Sequence, residues 1–210
     1  MEIVTQRRNQ VEVLPAVGES RGILMALHGY GQQVAFFHRH FIPLTELGFT
    51  VVVPEAPHRF YLEGFTGKIG CSWITRYQRQ WDIDETNNYL SAVIATISKD
   101  HPNVPWYGLG FSQGGHTIYR YAALAPFHFK RLILWAVDFP IDPIPKGNAS
   151  MVNHVEFVHG DQDPFFTEER KLAFEAKLSE LAITPPIYHY KGDHRMDRDL
   201  LLTLFEKELT

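Results

Sequence analysis

Residues 104–125 read VPWYGLGFSQGGHTIYRYAALA, and this stretch decides the fold. It begins with a short apolar run, continues through a glycine-rich turn and ends in a segment of helical composition that stops before Pro126. Ser112 lies at its centre, with Gly110 and Gly114 two residues away on either side. In a sharp strand-to-helix turn, side chains at those two positions would clash with neighbouring backbone. The stretch therefore predicts a strand, a tight turn that exposes a serine hydroxyl, and a helix.

Apolar runs of strand length recur along the chain, and helical patterns separate most of them. The predicted strands are Ile23–Leu27, Thr50–Val53, Val104–Leu109, Arg131–Val137, His154–Val158 and Pro186–Tyr190. The predicted helices are Asp84–Lys99, Gly115–Ala125, one containing Phe174, Leu178 and Leu181, and one containing Leu200, Leu201, Leu204 and Phe205. This alternation predicts an α/β fold, with a mostly parallel central sheet. The first dozen residues are predicted to form an antiparallel hairpin at the sheet edge.

Composition and charge narrow the class of protein. With 210 residues, of which 45% are hydrophobic, the chain can bury one substantial core, so residues 1–210 are predicted to form one globular domain. The net charge of −4 and the lack of Lys/Arg clusters argue against nucleic acid as a partner. No apolar run approaches the ~20 residues that span a bilayer. With one cysteine and no secretory signal pattern at the amino terminus, a cytoplasmic location is expected.

The loops that follow the predicted strands contain groups suited to nucleophilic catalysis. In an open α/β sheet, ligands bind at the carboxyl ends of the strands. A serine hydroxyl is a weak nucleophile, so it needs a base, and that base needs a carboxylate to orient it. Asp163 and His194 follow two later strands and can fill these roles for Ser112. The backbone N–H groups of Tyr30 and Gln113 are the expected donors to the oxyanion.

Other residues compete for the acid and base roles. Asp138 follows the strand that ends at Val137, so it is a rival to Asp163 as the acid. His189 lies within a predicted strand, and His159 precedes the glycine of the acid loop. Both positions indicate a structural role and not the role of the catalytic base. His28 is expected to tie down the loop that contains Tyr30.

The remaining candidates for metal, redox or cofactor chemistry are weak. His38 and His40 suggest a metal pair, but no further ligand follows at a useful spacing, so neither a metal nor another cofactor is expected. Cys71 is expected to line a pocket, with a second nucleophile as the alternative. A dinucleotide-binding oxidoreductase would need glycine where the chain has Gln113. A hydrolase fold that serves only as a binding module is a further alternative.

Residues 54–80 show no sustained periodicity but are rich in aromatic side chains. Aromatic residues at this density need apolar surroundings, so the segment is predicted to be an irregular pocket wall or a minimal lid near Ser112. The expected pocket residues are Tyr61, Phe65, Cys71 and Trp73. The alternative is that the segment adds core at the sheet edge.

Four motifs resemble the phospholipase/carboxylesterase family of α/β-hydrolases, which includes acyl-protein thioesterases and small bacterial carboxylesterases. They are LHGYG at Leu27–Gly31, PEAP at Pro54–Pro57, GLGFSQGG at Gly108–Gly115, and HGDQDP at His159–Pro164 together with His194. Together the motifs extend over nearly the whole chain. Ile74, where the family has phenylalanine, and Asp193, where glycine is frequent, depart from the pattern.

The resemblance implies the α/β-hydrolase fold, with helices on both faces of the sheet, and a function. It implies Ser112 as nucleophile, Asp163 as acid, His194 as base, and Tyr30 with Gln113 as oxyanion donors. The expected activity is that of a serine carboxylesterase on small acyl or aromatic esters. The alternative is an acyl thioesterase or lysophospholipase that uses the same residues. A small-molecule ester or thioester is the expected partner, and a homodimer is the expected assembly.

Overall fold

The computed structural model describes residues 3–125, 127–139 and 155–209. The strands in these ranges are, in chain order, β1 (Val11–Leu14), β2 (Gly22–Leu27), β3 (Phe49–Pro54), β4 (His58–Tyr61), β5 (Ile69–Ser72), β6 (Trp106–Phe111), β7 (Arg131–Trp135), β8 (Val155–Gly160) and β9 (Ile187–Tyr190). The helices are α1 (Val34–Phe37), α2 (Ile42–Glu46), α3 (Arg79–Asp100), α4 (Gln113–Leu124), α5 (Glu168–Glu180) and α6 (Arg198–Glu206). Two 3₁₀ turns, His38–His40 and Lys207–Leu209, complete the elements.

Among the described residues, seven strands form one sheet in the order β1-β3-β2-β6-β7-β8-β9. The edge pair β1 and β3 is antiparallel, and the other neighbouring pairs of this sheet are parallel. The predicted mostly parallel sheet is therefore confirmed. The chain reverses its direction of winding between β2 and β6, and a crevice at the carboxyl ends of such strands is where open α/β sheets bind ligands. The turn after β6 lies at this crevice.

Helices cover both faces of the sheet, because alternate residues of each central strand point to opposite sides. Ile23, Met25 and Leu27 of β2 belong to the core cluster under α3, α4 and α5. Leu24 and Ala26 of the same strand belong to the opposite cluster, under α1, α2 and α6. Both faces of the central strands are therefore dry, and the continuous apolar runs in the sequence reflect this.

Several element boundaries differ from the sequence prediction. The predicted amino-terminal hairpin is wrong, because residues 3–10 form no strand and β1 pairs with β3 in the described part of the chain. Strand β6 begins at Trp106, after Pro105, which has no N–H to donate to a ladder. Helix α3 begins at Arg79, five residues before its predicted start at Asp84. The predicted strand residue His154 and the predicted helix stop at Pro126 lie outside the described residues.

The aromatic segment 54–80 is not irregular throughout, which corrects part of the prediction. Strands β4 and β5 form an antiparallel hairpin, in register from the pair His58 and Ser72 to the pair Tyr61 and Ile69. Each strand has only four residues, and this length is too short to reveal a period of two in the sequence. The hairpin packs beside the loop that contains Tyr30.

Candidate active site

Ser112 occupies the turn between β6 and α4 in a strained backbone conformation. Its φ of 52° and ψ of −119° lie outside the regions that non-glycine residues prefer. Two backbone hydrogen bonds of 2.8 Å hold the residue in this conformation. The N–H of Ser112 donates to the carbonyl of Trp135, and its carbonyl accepts from the N–H of Gly115. The serine is thereby fixed at the carboxyl end of the sheet.

The two glycines of the turn allow backbone segments to approach closely. A Cβ atom at Gly110 would clash with the carbonyl of Gly114, and one at Gly114 would clash with the carbonyl of Leu27. These contacts pack the start of α4 against β6 and the end of β2. Glycine is therefore required on both sides of Ser112 for the physical reason predicted from the sequence.

Asp163 and His194 form a hydrogen-bonded pair at the same edge of the sheet. His194 Nδ1 lies 2.7 Å from Asp163 Oδ2, and the other carboxylate oxygen accepts the N–H of Phe165 at 2.9 Å. The Asp163 side chain is only 1% exposed. Because an ionised carboxylate can only accept, the shared proton belongs to Nδ1 and leaves Nε2 with a lone pair. The rings of Phe111 and Phe165 pack against the imidazole at 5.0 and 4.7 Å.

The rival acid, Asp138, has other partners. Its Oδ1 binds His116 Nε2 at 3.2 Å, and its Oδ2 accepts from Arg170 Nε at 2.9 Å. Burial acts to raise the pKa of Asp138, but the bond from His116 and the charge of Arg170 outweigh it and hold the pKa below its usual value. Asp163, and not Asp138, is therefore the carboxylate that pairs with His194.

Two backbone N–H groups at the site are available to a ligand. Within the described ranges, the N–H groups of Tyr30 and Gln113 donate to no other residue. Gln113 is the first residue of α4, where the helix leaves its N–H groups unpaired and carries a partial positive charge. Both residues line the same cavity as Ser112. This arrangement can stabilise negative charge on an oxygen atom bound between the two donors.

His28 braces the loop that contains Tyr30. Its Nδ1–H donates to the carbonyl of Gly29 at 2.8 Å, and its Nε2 accepts the N–H of Ala56 at 3.0 Å. Burial lowers the pKa of His28 and outweighs the opposing effects of the Gly29 bond and the charge of Glu55. A neutral ring with one donor and one acceptor suits both contacts. The expected structural role of His28 agrees with this geometry.

The Gln113 side chain connects the serine turn to the end of the β4–β5 hairpin. Its Oε1 accepts the backbone N–H of Trp73 at 2.9 Å, and its Nε2 donates to Ser72 Oγ at 3.0 Å and to the carbonyl of Ile74 at 3.1 Å. The indole N–H of Trp73 in turn donates to the carbonyl of His28 at 2.8 Å. The hairpin, the turn and the Tyr30 loop are thus joined by one set of hydrogen bonds.

A cavity of about 330 Å³ joins these groups. It is lined by Tyr30, Ser112, Gln113, His116, Ala136, Val137, Asp138, Asp163, Phe165, Phe166, Arg170 and His194. The five residues predicted for catalysis and oxyanion binding all belong to this set. Its volume suits a small substrate, at the lower end of the range for ligand pockets.

The structure places none of the four predicted pocket residues in this cavity. Trp73 and Cys71 are completely buried, and they pack behind the Tyr30 loop. Phe65 is 91% exposed at the tip of the β4–β5 hairpin, and Tyr61 is half exposed nearby. The aromatic density has two origins, core packing and an exposed hairpin tip, which composition does not separate. Burial raises the pKa of the Cys71 thiol to about 11, so its setting does not favour a nucleophile.

Several residues that were not predicted from the sequence also line the cavity. Phe165 and Phe166 follow the acid, and Arg170 lies in the first turn of α5. His116 lies four residues after Ser112, one turn along α4, and this spacing is the signal that was available in the sequence. In the described ranges, no group of three or more His, Cys, Asp or Glu side chains is arranged to hold a metal.

His159, a rejected candidate for the base, is a buried residue of the acid loop. Its ring stacks on Phe166 with 4.0 Å between centroids, and neither ring nitrogen has a hydrogen-bond partner in the described part of the chain. Burial, followed by the nearby His189, lowers the pKa of His159 to about 4. The residue is therefore a neutral packing group at neutral pH.

Solved structures share this fold over nearly their whole length. The crystal structure of esterase PE8 matches with a TM-score of 0.71 at 20% identity, covering 97% of this chain and 99% of that one. Zea mays acyl-protein thioesterase 2 matches with a TM-score of 0.73 at 14% identity, covering 96% and 98%. A carboxylesterase from Mesorhizobium loti matches with a TM-score of 0.70 at 18% identity, covering 99% and 98%. At these identities the likeness shows the fold alone.

The family assignment comes from the sequence. No curated protein matches the chain. Among the described helices, none is both long and apolar enough to cross a bilayer. The family model Hydrolase_4, described as serine aminopeptidase S33, matches residues 18–161, which include the Tyr30 loop and the Ser112 turn. The chain therefore belongs to this hydrolase family, and its predicted α/β-hydrolase fold is confirmed.

Proposed function

We propose that the protein is a serine carboxylesterase that hydrolyses small esters through an acyl-serine intermediate. The observation that carries the proposal is the buried Asp163–His194 pair in the same cavity as the strained Ser112 turn. In this assignment Ser112 is the nucleophile, His194 the base and Asp163 the acid. The two available N–H groups, of Tyr30 and Gln113, form the oxyanion hole.

The proposed reaction begins with attack of Ser112 Oγ on the ester carbonyl carbon. As the Oγ–C bond forms, the hydroxyl proton moves to Nε2 of His194 and the carbonyl π electrons move to the oxygen. When the tetrahedral intermediate collapses, the bond to the leaving oxygen breaks and Nε2 gives its proton to that oxygen. A water molecule then repeats the sequence on the acyl-serine and releases the carboxylic acid.

The proposed reaction requires a contact between Ser112 Oγ and His194 that forms with the substrate. Within the described ranges, Ser112 Oγ has no hydrogen bond to His194, although both line one cavity. Catalytic hydrogen bonds in ligand-free enzymes are often long and tighten only in the substrate complex. Asp163 fixes the tautomer of the imidazole, and Phe111 and Phe165 restrict its orientation, so we expect the bond between Ser112 Oγ and His194 Nε2 to form when the substrate binds.

A thioesterase or lysophospholipase on the same residues is the alternative. A thioester passes through the same tetrahedral geometry, and the structural neighbours include Zea mays acyl-protein thioesterase 2. The cavity volume of about 330 Å³ favours short acyl groups over long lipid chains. We therefore place small oxygen esters first, with short acyl thioesters second.

The test combines active-site labelling with turnover. A fluorophosphonate should form one covalent adduct, on Ser112, and Ser112→Ala should abolish both the adduct and turnover of p-nitrophenyl acetate, with a loss of about 10⁶ in kcat. Ser179→Ala, a change at an exposed serine of α5, is the matched control and should retain both. A chain-length series of esters and acyl thioesters then ranks the two alternatives. No turnover in the whole series, together with no adduct, would contradict the proposal.

A further inference from the structure

The cavity wall beside Ser112 contains a charged cluster that the proposed reaction does not use. It consists of His116 on α4, Asp138 after β7 and Arg170 on α5, and all three line the cavity. Their side chains are 30%, 16% and 46% exposed, so the cluster extends from the cavity towards its mouth. Polar groups in such a position restrict which substrates can enter.

Asp138 serves as the anchor of the cluster. His116 occupies one of its oxygens, while Arg170 occupies the other through Nε at 2.9 Å and Nη2 at 2.8 Å. With both oxygens engaged, the carboxylate has little capacity left to bind a substrate. It instead fixes the plane of the guanidinium, which reduces the entropy lost when that group binds a ligand.

Arg170 retains hydrogen-bonding capacity. Its Nη1 donates to the carbonyl of Phe165 at 2.9 Å, in addition to the contacts with Asp138. Each terminal nitrogen of a guanidinium carries two N–H groups, so one on Nη1 and one on Nη2 remain unused by the described residues. Carboxylate oxygens accept short, strong hydrogen bonds from guanidinium N–H groups.

An apolar acyl chain fits this wall poorly. Such a chain would remove water from His116 and Arg170 without replacing the lost hydrogen bonds, which is unfavourable. A carboxylate at the same position would instead accept from the guanidinium. The difference between the two outcomes is a basis for substrate selection.

We propose that Arg170 is a specificity-determining residue that binds a carboxylate on the substrate, so that the enzyme prefers esters of small acids that carry a second, anionic group. Asp138 and His116 are positioning residues for its guanidinium. The inference rests on the proposed ester hydrolysis at Ser112 and names the substrate class for that reaction. The carboxylate can belong to the acyl part or to the alcohol part of the ester.

The experiment compares esters that differ only in charge. Monomethyl succinate, glutarate and adipate carry the carboxylate in the acyl part, and acetyl glycolate carries it in the alcohol part. Each is paired with the neutral analogue in which a carboxamide replaces the carboxylate. The readout is the ratio of kcat/KM for the charged ester to that for its amide. We expect a ratio of at least about tenfold in one of the two series, and that series identifies the position of the carboxylate.

Variants then assign the preference to Arg170. Arg170→Gln should lower the ratio about tenfold, and Arg170→Lys should give an intermediate ratio because it keeps the charge but loses the planar fork. Lys171→Gln is the matched control, because this neighbouring lysine pairs with the exposed Glu168 and does not line the cavity. Turnover of the neutral ester, in which a carboxamide replaces the carboxylate, reports whether each variant is folded. Because a general loss of activity affects both esters equally, it does not change the ratio.

The outcomes separate this inference from the proposed function. A ratio of one or less in both series, or an unchanged ratio in Arg170→Gln, would overturn carboxylate recognition while Ser112 labelling and neutral turnover persist. Loss of Ser112 labelling and of all turnover in the wild-type enzyme would instead overturn ester hydrolysis, and this inference with it. An equal decrease for both esters in Arg170→Gln would show that Arg170 acts only by holding Phe165.

Discussion

The side-chain oxygen of Gln113 accepts a 2.9 Å hydrogen bond from the backbone N–H of Trp73. The backbone N–H of the same glutamine is a proposed oxyanion donor. One residue therefore both contributes to the site and connects it to the β4–β5 hairpin. From the sequence alone, Gln113→Ala is expected to have a small effect, because the backbone N–H survives the change.

The side-chain contacts predict a larger effect for Gln113→Ala. The change leaves the Trp73 N–H without its partner and removes one of the two donors to the Ile74 carbonyl, so the free energy of unfolding should fall by about 1–3 kcal/mol. The displaced turn should reduce kcat for p-nitrophenyl acetate about tenfold. Urea unfolding and steady-state kinetics measure both quantities. Gln80→Ala, on the exposed side of α3, is the control, and equal behaviour of the two variants would contradict the prediction.

Asp163→Asn should reduce kcat by about 10³ to 10⁴. The amide cannot stabilise the imidazolium form of His194 and no longer fixes the Nδ1–H tautomer. Asp138→Asn leaves the Asp163–His194 pair intact, so its effect on a neutral ester should be much smaller. Measurement of kcat for both variants on p-nitrophenyl acetate decides between the two acids. A greater loss for Asp138→Asn would reverse the assignment.

His159 should make the protein acid-sensitive. Its pKa falls from 6.5 to about 4 on burial, so the unfolded chain takes up the proton first as the pH decreases. The contribution of His159 to the free energy of unfolding is fully present above pH 6.5. It decreases by roughly 3 kcal/mol in total as the pH falls towards 4. His159→Phe keeps the aromatic stack and removes the titration. Urea unfolding between pH 7 and 4.5 should show a flatter pH dependence for this variant, and identical slopes would refute the prediction.

Phe65→Ala and Trp73→Phe should differ in their effects, whereas similar losses of activity would be expected if both residues lined the substrate pocket. Phe65 is almost fully exposed, so its removal should change kcat/KM for short esters by less than about twofold and stability by less than about 0.5 kcal/mol. Trp73→Phe removes the hydrogen bond to His28 and should cost about 1–2 kcal/mol of stability. Kinetics and thermal unfolding of both variants test this difference. A marked loss of activity in Phe65→Ala would return this residue to the site.

The fold and the central residues of the site could be predicted because each rests on a local or topological constraint. The glycines around Ser112 report a tight turn, and the positions of Asp163 and His194 after strands bring them to one edge of the sheet. Membership in the hydrolase family is shown by the sequence match, whereas the roles of these residues remain a proposal.

The cavity wall could not be predicted because it depends on the direction of individual side chains. Arg170 lies at the amino-terminal end of a helix whose sequence shows only an amphipathic pattern, and its ion pair with Asp138 spans 32 residues of chain. Trp73 is the type of residue expected in a pocket, but its indole points inward and donates to the carbonyl of His28. Long-range hydrogen bonds of this kind leave no periodic signal in a sequence.

The β4–β5 hairpin is joined to the Tyr30 loop by two backbone hydrogen bonds, from Gly31 to Cys71 and from Cys71 to Gln32. A bulky ester that displaced the Tyr30 loop would have to move these strands as well, and it would shift the Tyr30 amide. Oversized molecules would then lose rate acceleration as well as affinity, because a short hairpin outside the cavity helps to hold a proposed oxyanion donor in place.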